Sequence, residues 1–99
     1  MLEKQIEAKL VRGVKSLGGK AYKFISPGNI GVPDRIVIWP DGEVQFVELK
    51  TVNGKTTKLQ DIQIQQLISL RQTVYTLYGP EAVTEYLYKQ GAIHGEELR

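Results

Sequence analysis

The sequence predicts an α/β domain: a mixed β-sheet flanked by helices, with elements in the order α-β-β-β-α-β-α and a C-terminal helix. Two patterns carry that prediction. Helical spacing of apolar residues recurs near the start, in the middle and near the end of the chain, and between the first two helices lie short β-branched and aromatic runs broken by turn residues. With 99 residues, 41% of them hydrophobic, the chain has material for one modest core.

Each element has its own signal. Ile6, Leu10, Val14 and Leu17 follow Leu2 at spacings of three and four, and Gly18-Gly19 supplies a C-terminal stop, so the first helix runs from residue 2 to residue 17. "AYKFI" (21–25) alternates as a short strand, and "SPGNIGVP" (26–33) is a loop. "DRIVIW" (34–39) and "EVQFVELKT" (43–51) read as a hairpin around Pro40-Asp41-Gly42. "NGK" (53–55) closes the sheet segment. Residues 57 to 72 then place Leu59, Ile62, Gln66, Leu67 and Leu70 at helical spacing, with Thr56 or Thr57 as N-cap. "TVYTLY" (73–78) is a further strand, and Gly79-Pro80 opens a last helix that stops at Gly91. A single domain over residues 1 to 91 and a flexible tail over 92 to 99 follow. An antiparallel meander followed by a helix and one more strand gives the mixed sheet.

Composition narrows the chemistry. There is no cysteine, so disulfides, thiolate metal sites and thiol nucleophiles are excluded, and the metal options are oxygen ligands and His94. A formal charge of +2 and a pI near 8.9 permit a polyanionic partner without demanding one. The amphipathic N-terminus is not a signal peptide, and no apolar run approaches the roughly 20 residues needed to span a bilayer. The expectation is a soluble cytoplasmic protein with no membrane partner, and a chain this small makes a dimer plausible.

The chemistry concentrates in "GVPDRIVIWPDGEVQFVELKT" (31–51). Residues two apart on a strand share a face, so Glu48 and Lys50 project together. Taken alone, that pair is more simply an edge salt bridge. Asp34 at the loop-to-strand junction changes the balance, provided the register brings it beside Glu48. A strict two-residue turn would pair Asp34 with Leu49 and put it on the wrong face, so a three-residue turn with a bulge, or a bulge near Asp34, is expected. Two carboxylates with the Leu49 carbonyl form a hard oxygen set suited to Mg²⁺ or Mn²⁺. With Lys50 to position a water or meet developing negative charge, this is a phosphodiester-hydrolysis site. The first helix adds Glu3 and Glu7 on its apolar arc. Glu7 is preferred, because Glu3 lies in a first turn that frays and is accounted for by the helix dipole.

Pro33-Asp34 followed by Glu48-Leu49-Lys50, within this element order, resembles the PD-(D/E)xK nuclease superfamily, and more closely its small stand-alone VRR-NUC branch. The matching features are Glu7 (or Glu3) in the first helix, Gly31-Val32-Pro33-Asp34, the strand from Arg35 to Trp39, Glu48-Leu49-Lys50 and Gln60. Lys58 departs from the small hydroxyl residue common two positions before that Gln. The resemblance covers about residues 3 to 80 and implies a restriction endonuclease-like αβββαβ core. It also implies a Mg²⁺-dependent DNA endonuclease, with Mn²⁺ able to substitute, similar to dimeric phage and bacterial members and to Holliday junction resolvases. By carry-over Asp34, Glu48, the Leu49 carbonyl and Glu7 would hold the metal, Lys50 would assist the attacking water, and Gln60 would support the site. The rival reading is a non-catalytic DNA-binding or assembly module of the same fold. Lys20, Lys23, Arg35, Lys55 and Lys58 could hold phosphates or merely solubilise. Tyr75, Tyr78, Tyr86 and Tyr88 suit core or dimer contacts better than base stacking, and His94 reads as a tail residue.

Overall fold

A computed structural model describes residues 1 to 96. Its elements are α1 (Glu3–Ser16), β1 (Lys20–Lys23), β2 (Arg35–Ile38), β3 (Val44–Lys50), α2 (Lys58–Ser69), β4 (Thr73–Tyr78) and α3 (Gly79–His94). The strands lie in the order β1-β2-β3-β4, antiparallel except for the parallel β3–β4 pair, which α2 connects. The mixed sheet with helices on it is the architecture the sequence predicts. No helix among the described residues is long and apolar enough to cross a membrane.

Parity divides the sheet into two faces. Val37, Trp39, Val47, Leu49 and Leu77, all odd-numbered, join Ile6, Leu10 and Val14 of α1 and Val83 and Tyr86 of α3 in one buried cluster. Helices α1 and α3 therefore cover the odd face. Among the described residues Gln45 is the buried polar side chain of that layer, and both its amide oxygen and its amide nitrogen have partners. Its Oε1 accepts from the Trp39 indole at 3.1 Å and the Tyr86 hydroxyl at 2.6 Å, and its Nε2 donates to Gln90 at 2.8 Å.

Two helix ends are built alike. After α1, Gly18 N–H donates to Lys15 O and Gly19 N–H to Val14 O, a Schellman turn that Gly18 enters at φ +87°. After α2 the same pair of bonds forms, Arg71 N–H to Ile68 O and Gln72 N–H to Leu67 O, but here the left-handed residue is Arg71 at φ 65°. In α2 only Ile64 is buried, while Leu59, Ile62 and Leu70, expected on an inward stripe, are exposed.

The C-terminal region departs from expectation. Helix α3 continues through Gly91 to His94, because Gly91 is not a stop but a contact. A β-carbon there would come within 2.6 Å of Leu17 Cδ1, as one on Gly13 would collide with Leu87. The His94 ring bonds Asp41 Oδ2 at 2.6 Å, and Glu96 N–H donates to Leu17 O at 2.9 Å. Residues 92 to 96 are thus fastened to the domain, and the remainder of the expected tail, 97 to 99, lies outside the described residues.

Candidate active site

The register of the β2–β3 hairpin builds the site. Trp39 N–H donates to Glu43 O and Gly42 N–H to Trp39 O, so Pro40, Asp41 and Gly42 form a three-residue turn with Gly42 at φ +91°. The ladder then pairs Ile38 with Val44 and Arg35 with Val47. Continued by one residue, that register sets Asp34 opposite Glu48, on the same face. This is the parity a two-residue turn would have lost.

Continued by two, it sets Pro33 opposite Leu49. Leu49 N–H points to this side and donates to Asp34 Oδ2 at 2.8 Å. A strand residue directs its N–H and C=O to the same edge, and Pro33 has no N–H to offer the Leu49 carbonyl. The start of β2 therefore offers the Leu49 carbonyl no backbone donor on the edge of β3 where Asp34 lies.

Glu48 is the centre of the arrangement. Its side chain is 1% exposed. Oε2 accepts from Gln60 Nε2 at 2.9 Å and lies 3.5 Å from Lys50 Nζ, whereas Oε1 is buried with no hydrogen-bond partner among the described residues. Gln60 is itself fixed by a capping box. Its N–H donates to Thr57 Oγ1, and its Oε1 accepts from Thr57 N–H at 2.8 Å, which settles Thr57 as the N-cap of α2.

Carboxylate oxygens of Glu3, Asp34 and Glu48 all lie within 4.8 Å of one another. Glu7, the acid preferred from sequence, is elsewhere. Its Oε2 receives Arg35 Nε at 2.7 Å, and Arg35 Nη1 donates to Ala21 O at 3.2 Å. Strand parity explains the exchange: Arg35 points to the face that α1 covers and meets Glu7 there, while Asp34 points to the other. Arg35 is also committed by these contacts, not free for phosphate. The signal that could have found Glu3 was Arg35 itself, an arginine on the covered face that needs an acid from α1.

The electrostatics follow from crowding. Burial first, and then the neighbouring Asp34 charge, push the Glu48 carboxyl up to about 7 despite the opposing pull of Lys50. Burial also raises Asp34, opposed by the Leu49 N–H, with the Glu7 charge raising it further. A set of acids with an orphaned buried oxygen, short of positive charge, has the chemistry of a divalent-cation site. His94 stands apart, on Asp41 at the far end of the hairpin.

Comparison with known proteins agrees with this geometry. The chain is 45% identical over 75 residues to "Putative nuclease p44" of Acyrthosiphon pisum secondary endosymbiont phage 1, covering 76% of this chain and 81% of that protein. A solved structure described as "VRR_NUC domain" superimposes with a TM-score of 0.81 at 25% identity, over 87% of this chain and 94% of that one. No protein-family model matches the chain.

Proposed function

Because the chain belongs to the VRR-NUC nuclease family, we propose that it is a divalent-metal-dependent DNA endonuclease. It would act as a homodimer in a bacterial cytoplasm and nick or cut duplex or branched DNA. The observation that carries this reading is the Glu48 Oε1 atom, buried without a partner among the described residues and beside Asp34 and Glu3. A desolvated carboxylate oxygen with no donor is costly unless it is protonated or ligates a cation.

The residues present fit Mg²⁺, with Mn²⁺ able to substitute: Asp34, Glu48 and the Leu49 carbonyl would hold it, with Glu3 in the place first assigned to Glu7. When bound, such an ion supplies a Lewis acid that offsets phosphodiester charge and acidifies a coordinated water. The chain's own groups do the rest. Gln60 holds Glu48 in one rotamer by bonding Oε2, leaving Oε1 for the metal. Lys50, 12% exposed and 3.5 Å from Glu48, has its ammonium beside that carboxylate. From there it donates to the attacking water or to the developing oxyanion. The Glu7–Arg35 pair fastens α1 to β2 and so sets where Glu3 reaches.

Cleavage of supercoiled plasmid and of a synthetic four-way junction, with Mg²⁺, Mn²⁺ or EDTA, tests the proposal. The expected result is cleavage that needs the metal and is lost in folded Asp34→Asn and Lys50→Ala. DNA binding without cleavage under every metal condition would replace it with the binding-module reading.

A further inference from the structure

The sheet has two edges of opposite character. Edge strand β1 is four residues long and carries Lys20 and Lys23 at its ends, a charged edge that discourages pairing. Edge strand β4, "TVYTLY", is six residues long, uncharged and free of proline, and its pairing with β3 runs from Gln45↔Thr73 to Lys50↔Tyr78 without a bulge. Nothing in its sequence protects it. The peptide groups of β3 alternate, and Leu49 N–H points toward Asp34. Glu48 and Lys50 therefore point toward β4, which engages Tyr75 and Leu77 and leaves the N–H and C=O of Val74 and Thr76 directed outward.

We propose that this edge binds the same edge of a second copy, joining two sheets into one through antiparallel β4–β4 pairing. The inference rests on the homodimer of the preceding section and names its interface. A two-fold axis at Tyr75 makes the pairing self-consistent. Val74 then faces the partner's Thr76 and exchanges two hydrogen bonds with it, the symmetric pair adds two more, and Thr73 faces the partner's Leu77. No like charges meet along the strand.

The layer beside the strand argues for a second copy over an unrelated strand. Tyr75 packs edge-on against Tyr86 of α3 at 5.1 Å, so the axis passes α3 where Glu85 and Lys89 pair at 2.8 Å on the exposed surface. These two residues line the groove between β4 and α3 together with Ala82. Across a two-fold axis the partner's helix presents the same two charges in reverse order, so each carboxylate gains an ammonium. Apolar surface lines the groove as well, since Tyr75 and Leu77 of β4 and Ala82 of α3 share it with the charged pair. Pairing of this hand keeps the same face of both sheets outward. With strands about 4.8 Å apart and a rise of about 3.3 Å per residue, the two Glu48 positions fall about 16 Å apart on one face, suited to paired nicks.

The absence of cysteine from the chain makes the test direct. Across a non-hydrogen-bonded antiparallel pair the Cα atoms sit about 4.5 Å apart, within disulfide range. Full-length Tyr75→Cys should therefore oxidise to a covalent dimer, whereas Tyr22→Cys on the β1 edge should not. Independently of any strand variant, Glu85→Lys and Lys89→Glu should each weaken the dimer about tenfold by sedimentation equilibrium, and the double exchange should restore it to within about threefold. A monomeric wild type, a dimer linked through Tyr22→Cys, or a dimer indifferent to both charge reversals would overturn the interface. The nuclease reading is scored separately: a dimer with this interface that cuts nothing keeps the interface and removes the activity.

Discussion

A carboxylate as buried as Glu48 makes the metal-free protein pH-sensitive in a definite direction. Its carboxyl titrates near 7 in the native state against an ordinary 4.5, so between those values the native state holds a proton that the unfolded chain has released. Stability therefore falls as pH rises through that window and stays lowered above it. Without divalent metal, Glu48→Gln should be more stable than wild type at pH 8 by on the order of 2 kcal/mol, and nearly equal to it at pH 5. Thermal unfolding at the two pH values reads this, and equal melting temperatures at pH 8 would refute it. The acids at the start of α1 separate by role. Glu3→Gln should weaken Mn²⁺ binding about tenfold or more in calorimetry. Glu7→Gln should instead lower thermal stability, because it leaves Arg35 half-buried without its partner. Asp34, Glu48 and Lys50 were legible in the sequence because strand parity and one turn length place them together. Glu3 was not, since a helical wheel puts it and Glu7 on one arc, and only the three-dimensional demand of Arg35 divides them.

The elements carry the register on which the site depends. Gly42 closes the three-residue turn in a left-handed conformation, with open space where a β-carbon would go, so Gly42→Val should cost about 1–2 kcal/mol through backbone strain alone. Removing Pro40 should do more, shifting Asp34 off the face of Glu48 and ending metal binding in a chain that still folds. Arg71 offers the converse. It holds the left-handed position after α2 that glycine usually fills, so Arg71→Gly should gain about 0.5–1 kcal/mol, read as a rise of several degrees in melting temperature. Turn chemistry was readable in "PDG", whose two possible lengths are split by which residue must face Glu48. The end of α3 was not readable, because a glycine that stops a helix and one that lets two helices touch look alike in sequence. Gly91 is the second kind, against Leu17. The inward stripe expected of α2 failed for a related reason: helical spacing reports an apolar face without saying what covers it.

At the scale of the molecule, α1 and α3 seal one face of the sheet around Trp39, Gln45 and Tyr86, and the chemistry lies on the other, where β2 begins, β3 ends and α2 begins. The architecture was legible because each element's period and punctuation agreed. The exposure of apolar residues such as Leu59, Ile62 and Tyr88 was not legible, because a single chain's periodicity does not encode which apolar residues the fold leaves uncovered. The central claim is that three acids and one lysine, gathered from α1, the start of β2 and the end of β3, hydrolyse DNA with a divalent ion. Its most direct test is conversion of supercoiled plasmid to nicked or linear forms in Mg²⁺, wild type against Asp34→Asn, with folding of both verified by circular dichroism. The account predicts metal-dependent conversion by wild type and at least a hundredfold slower conversion by the variant. Conversion that persists in EDTA, or that Asp34→Asn performs as fast as wild type, would contradict it.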